Sequence, residues 1–273
     1  MDTQTTFLNA LDPEVVQRIT SRREALRKAG KFGAGAALAA LSVPGALGLM
    51  ARDAFGQSMP ASVTEVLRFA LTLEYLEFEY YNTGINTPGL IPEPALTVYR
   101  GVTNHERAHV RLLEAALELE EDEAKPQFDF TAGGMFDPFT NYGTFLALSQ
   151  GFEDTGVRAY KGQAANLLTD SSTPEEDRRA VLRTALQIHS VEARHASIVR
   201  RLRGQEGWIA FDNTDVDALE NVYEGEGNTT QLGVPVGSLT VKSTEAITEA
   251  YDEPLTMAQV LAIADPFIVD SSN

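Results

Sequence analysis

The chain has 273 residues, 43% of them hydrophobic, which is enough for one sizeable domain with an appended segment and is not the composition of a disordered polymer. With 22 basic and 39 acidic residues its net charge is -17, which argues against binding nucleic acid or an anionic membrane surface, since both need clustered Lys and Arg. Cysteine is absent, so disulfides, thiolate ligands and catalytic thiols are excluded, and metal chemistry must use His and carboxylate.

Residues 1–56 differ from the rest. Ser21-Arg22-Arg23 with Arg27-Lys28 leads into a Gly/Ala-rich apolar run from Phe32 to Met50, which closes on the small residues Ala54 and Gly56. This arrangement resembles a twin-arginine export signal. The expectation is a protein exported in its folded state, carrying metal loaded beforehand, to the periplasm, cell envelope or exterior, with no stable membrane span after cleavage. Removing that segment takes away seven basic and five acidic residues and leaves 15 basic against 34 acidic, so the mature protein is strongly acidic.

From Ser62 onward, apolar residues recur at helical spacing in four stretches. The first is predicted over 63–82, with Ser62 and Glu65 as a capping box, Val66, Phe69, Ala70, Leu73 and Leu76 as its stripe, and Thr83-Gly84 as its end. The second is predicted over 95–119. A Gly- and Pro-bearing connection follows, long enough to cross the length of a bundle, and a third helix starts near Asp137-Pro138 and runs to Leu168. The fourth opens at Thr173-Pro174-Glu175-Glu176 and reaches Arg203. Two hairpins joined by a long crossover are the connectivity of ferritin-like bundles, so the expected fold class is all-α, a ferritin-like four-helix bundle over 57–203, which the pattern by itself does not establish. Residues 204–273 read as an irregular extension, with a short helix over 256–264, that covers the bundle or a partner; a homo-oligomer is compatible with this.

The chemistry lies in two Glu-x-x-His motifs, Glu106 with His109 and Glu192 with His195. Three residues along a helix turn the side chains about 60° apart and one turn along, so both reach one inward point. The other two helices offer Glu74 and Glu153, each followed seven residues later by a tyrosine, Tyr81 and Tyr160. The halves therefore repeat a design of Glu-x6-Tyr followed by Glu-x-x-His. The predicted metal ligands are Glu74, Glu106, His109, Glu153, Glu192 and His195, a set suited to two Fe or Mn ions. Glu77 could replace or assist Glu74; the repeated spacing to Tyr selects Glu74. Tyr81 and Tyr160 are candidate catalytic residues that bond the carboxylates or pass electrons, although a buried tyrosine with a satisfied hydroxyl is the commoner case. His189, one turn before Glu192, is a candidate support for the ligands, and His105 is expected to point away at the surface.

These residues carry a resemblance. Leu73-Glu74-Tyr75-Leu76-Glu77, Asn104-His105-Glu106 with His109, Phe152 through Tyr160, and Glu192-Ala193-Arg194-His195 are similar to the ferritin-like domain family that includes desiccation-related proteins, as is the late segment Pro254-Leu255 through Pro266-Phe267-Ile268. The resemblance implies the ferritin-like fold. The leading functional expectation is a di-iron or di-manganese oxidoreductase, peroxidase- or catalase-like, that consumes oxygen or peroxide in stress protection. The alternatives are a non-enzymatic desiccation or envelope stress protein with a structural metal site, and metal sequestration.

Overall fold

A computed structural model describes residues 61–169, 173–212 and 214–269; the export-signal reading at 1–56 falls outside the described residues. Four long helices dominate: α1 (Ala61–Asn86), α2 (Ala95–Ala116), α3 (Tyr142–Thr169) and α4 (Glu175–Leu202). α1 packs chiefly on α2 and α3 on α4, giving two hairpins that face each other across the bundle. No helix among the described residues is long and apolar enough to cross a membrane.

Helix ends differ from expectation where local hydrogen bonds or packing override the punctuation residues. α1 already includes Ser62, so the predicted capping position lies inside its first turn. It also runs through Gly84 instead of stopping there. Gly84 is a packing glycine, because an added Cβ would lie 2.4 Å from the Phe145 ring. Past it, Asn86 Nδ2 and Thr87 Oγ1 donate back to the carbonyls of Asn82 and Thr83, each at 2.8 Å. α2 stops at Ala116, three residues early, and Glu118 then takes a left-handed φ of 56°.

α3 starts at Tyr142 and not at Asp137, because Asn141 provides the cap: its Oδ1 accepts from the backbone N–H of Gly143 at 2.9 Å and of Thr144 at 3.3 Å. Asp137 instead anchors the preceding turn, accepting from the Thr144 hydroxyl at 2.7 Å. α4 has Pro174 at its N-cap with no side-chain cap bond, while Glu175, Glu176 and Asp177 in the first turn and Arg200 and Arg201 in the last complement its dipole.

The crossover between α2 and α3 is held at both ends. Glu114 accepts from the Tyr75 hydroxyl at 2.5 Å and from the Asp122 backbone N–H at 2.8 Å, which fixes where the chain leaves α2. Farther along, β1 (Gln127–Phe128) pairs antiparallel with β4 (Ile268–Val269) at the far end of the described chain, Gln127 opposite Val269 and Phe128 opposite Ile268. The other two strands, β2 (Thr230–Gln231) and β3 (Val234–Pro235), form a small hairpin. A short helix precedes this hairpin, α5 (Glu220–Tyr223), and two more follow it, α6 (Thr244–Thr248) and α7 (Met257–Ala264). α7 lies where a helix is predicted and carries a complete capping box from Thr256 and Gln259.

The segment after α4 is strapped to α3. Arg158 is fully buried, and its guanidinium donates to the carbonyls of Glu253 at 2.8 Å, Glu224 at 2.6 Å and Val222, while pairing with Glu226 at 2.7 Å. Four residues on, Gly162 lies against the Leu255 carbonyl so closely that a Cβ there would fall 1.9 Å from its oxygen. Replacing a mid-helix glycine by alanine ordinarily stabilises a helix by up to about 1 kcal/mol. Gly162→Ala should do the reverse, lowering the melting temperature and speeding limited proteolysis within 204–269 while far-UV helicity is kept. Unchanged cleavage would show that this contact does not hold the segment down.

Candidate metal centre

Four helices each place acidic residues at the same level. Glu74 stands on α1, Glu106 and His109 on α2, Glu153 on α3, and Glu192 and His195 on α4; the four carboxylates have no solvent exposure, and the two imidazoles are also buried. This polar layer lies between two apolar clusters. One contains Val63, Leu67, Leu71, Val110, Leu113 and Ile188, and the other contains Tyr80, Tyr81, Tyr99, Phe145, Phe152 and Val199.

The donor atoms form two overlapping groups, each within 4.8 Å: Glu74, Glu106, His109 and Glu192 in one, and Glu106, Glu153, Glu192 and His195 in the other. All six predicted ligands are thus brought together, and Glu106 and Glu192 belong to both groups. His109 Nδ1 lies 3.0 Å from Glu74, 2.9 Å from Glu106 and 3.2 Å from Glu192. His195 Nδ1 lies 2.7 Å from Glu106 and 3.4 Å from Glu153.

His109 Nδ1 is within hydrogen-bond geometry of Glu74 and Glu106, but most of the other close atoms are not paired. Glu106 Oε1, both oxygens of Glu153, both of Glu192 and His195 Nδ1 are buried without a hydrogen-bond partner. Buried polar atoms are normally satisfied, and ones left unaligned but aimed at a common point are what a cation needs. The residues therefore fit metal ions, and these six would hold them.

The electrostatics without metal support this. Burial pushes the Glu74 carboxyl up to about 8 and the Glu153 carboxyl well above the usual carboxylate range. For Glu192 burial acts the same way, but contacts with His109 and His195 win and hold it down at about 2. Both imidazoles are pushed above the ordinary histidine range, because the surrounding carboxylates outweigh burial. Protons thus occupy the centre as stand-ins for positive charge.

Glu77 is a fifth buried carboxyl beside the centre, outside both donor groups, and burial followed by repulsion from Glu192 and Glu153 raises it well above normal. Its position is explained by the repeat. Glu74 and Glu153 are 79 residues apart, and the residue 79 beyond Glu77 is Gly156, where an added Cβ would lie 3.1 Å from Glu77 Oε1. One half supplies a carboxyl and the other supplies the space for it.

The tyrosines also part company. The Tyr160 hydroxyl donates to Glu74 Oε1, whereas the Tyr81 hydroxyl reaches the Ser149 carbonyl, one turn before Glu153, at 3.4 Å. Beside Tyr160 lies a narrow, partly open apolar cleft, bordered by Leu67, Ala70, Leu73, Leu167, Val181 and Ile188. His189 lies outside both donor groups, and its Nε2 is buried without a hydrogen-bond partner. His105 is exposed, as expected, yet it places Nδ1 2.9 Å from His195 Nε2. A helical wheel of α2 alone could not show this, because the partner comes from α4.

Sequence reasoning also passed over Asp154, next to Glu153. It is buried, accepts from Arg200 and, at 2.8 Å, from Tyr223, and so ties α3 to α4 and α5 directly behind the centre. The signal available was an acidic residue adjacent to a ligand and about 100° round the helix from it.

No curated protein and no solved structure matches the chain. The profile of the ferritin-like domain matches residues 62–205, more than half of the chain and nearly all of the four-helix bundle that holds the buried Glu and His residues. The chain belongs to the ferritin-like domain family.

Proposed function

We propose that the protein is exported and holds two transition-metal ions, Fe or Mn, with which it reacts with oxygen or peroxide in stress protection. The observation that carries the reading is the sharing of Glu106 and Glu192 by the two donor groups, which leaves Glu74 and His109 for one ion and Glu153 and His195 for the other. Mixed carboxylate and imidazole donors suit Fe and Mn. Four ionised carboxylates would balance the charge of two divalent ions. Bound there, two neighbouring metals supply a shared two-electron change and polarise an oxygen-bearing substrate.

The side chains have separate parts in this. His109 and His195 set the two ends of the centre, and Glu106 and Glu192 stand between them. Tyr160 O–H fixes the outer oxygen of Glu74, which orients that carboxylate. The apolar clusters on either side keep bulk water away, and the apolar cleft beside Tyr160 suits a small uncharged oxidant. The twin-arginine-like segment at 21–56 supports export, and the likeness to desiccation-related proteins supports a role in stress.

Two measurements test the reading. Protein purified from its native compartment should contain about two Fe or Mn per chain and consume oxygen or peroxide, with both properties lost in Glu106→Ala/Glu192→Ala. Metal without turnover would identify a structural site, uptake far beyond two ions would identify sequestration, and a folded native protein free of metal would sink the proposal. Loading the metal-free protein at pH 7 should also release about two or more protons per chain, because His109 and His195 are held protonated there and ligation requires their neutral forms. The sign follows: apparent metal affinity falls as pH falls. Calorimetry in two buffers of different ionisation enthalpy reads the proton count, and no release would overturn the view that metal displaces protons held on these imidazoles and carboxyls.

A further inference from the structure

The two halves of the centre differ in what stands behind their histidines. His195 turns Nδ1 toward Glu106 and Glu153, and its other nitrogen, Nε2, is 2.9 Å from His105 Nδ1. The two rings are within 5° of parallel, with centroids 5.1 Å apart. With two nitrogens only 2.9 Å apart, rings this nearly parallel meet edge to edge, which is the geometry of an N–H···N hydrogen bond. His105 is exposed on α2 and its partner is buried on α4, so the bond crosses between helices.

A neutral imidazole has one donor and one acceptor nitrogen. If His195 Nδ1 offers its lone pair to a cation, its proton must sit on Nε2, and that N–H needs an acceptor. His105 Nδ1 is in place to accept it, leaving the His105 proton on its solvent-side nitrogen. The other half has no such arrangement by sequence. Glu106 and His109 repeat 86 residues later as Glu192 and His195, and by the same offset position 105 corresponds to Val191, which cannot accept a hydrogen bond from its side chain.

We propose that His105 is a positioning residue for one of the two metal positions: it fixes the tautomer and ring orientation of His195 and so strengthens the Glu153/His195 position selectively. This rests on the di-metal reading above. Partners that orient a ligating histidine in this way are commonly worth about 10- to 100-fold in metal affinity.

The test is titration of the metal-free full chain with Co(II), following visible absorption and calorimetry, for wild type, His105→Phe and His105→Asn. Phe keeps a planar ring and removes the acceptor, while Asn offers a carbonyl oxygen in its place. The expected result is that His105→Phe weakens one of two binding steps by about 10- to 100-fold and leaves the other unchanged, with partial recovery in His105→Asn. In a His195→Ala background, His105→Phe should have no further effect on metal affinity. Two wild-type-like binding steps in His105→Phe would overturn the assignment while leaving the di-metal reading intact. Equal weakening of both steps would also overturn it, by showing a general packing role. Failure of the wild-type chain to bind any Co(II) would instead overturn the di-metal reading, and this inference with it.

Discussion

Four carboxylates with no solvent exposure face one another inside the bundle, and a fifth, Glu77, lies beside them. Unpaired buried charges of one sign cost far more than a small domain's whole margin of stability. The layer must therefore be neutralised, by protons or by cations, and much of the surrounding architecture follows from that need. Without metal, His109 and His195 hold protons and Glu192 stays ionised against them, while Glu74 and Glu153 are pushed toward their neutral forms. Several of the donor atoms are left without a hydrogen-bond partner, which is the arrangement a cation would satisfy.

The same constraint accounts for what is packed around the centre. Apolar clusters bracket the charged layer on both sides, and large aromatics dominate the one reached by the segment after α4, with Tyr80 stacked on Phe145 and meeting Phe152 edge-on at 5.0 Å. Behind α3, Asp154 and Arg158 turn outward from the centre and fasten the later segment through Arg200, Tyr223, Glu226 and a row of backbone carbonyls. Adjacent residues of one helix thus serve two purposes: Glu153 faces the donors, and Asp154 secures what covers them.

The halves of the chain repeat their ligands and diverge in what surrounds them. Glu77 answers to Gly156, and Tyr81 bonds a backbone carbonyl where Tyr160 bonds a carboxylate. His105 answers to Val191 and touches His195. Two donor groups of identical composition therefore sit in different environments, which gives the two ends of the centre a chemical direction.

The four helices and the six convergent Glu and His residues were legible in the sequence, because helical periodicity and the spacing of Glu-x-x-His and Glu-x6-Tyr are local properties of a 3.6-residue turn. The repeated spacing to tyrosine favoured Glu74 over Glu77, and it is Glu74 that shares a donor group with Glu106, His109 and Glu192. Helix ends were less so: Gly84 reads as a stop and is a packing glycine against Phe145, and Asn141 displaced Asp137 as a cap through two backbone hydrogen bonds. What only the tertiary structure decided were the contacts between elements far apart in the chain, His105 with His195, Tyr160 with Glu74, and Arg158 with the carbonyls of residues 222–253. The physical reason is that a sequence pattern fixes which face of its own helix a residue occupies, whereas the partner it meets depends on how neighbouring helices are rotated and staggered, and that is settled by packing the whole core at once.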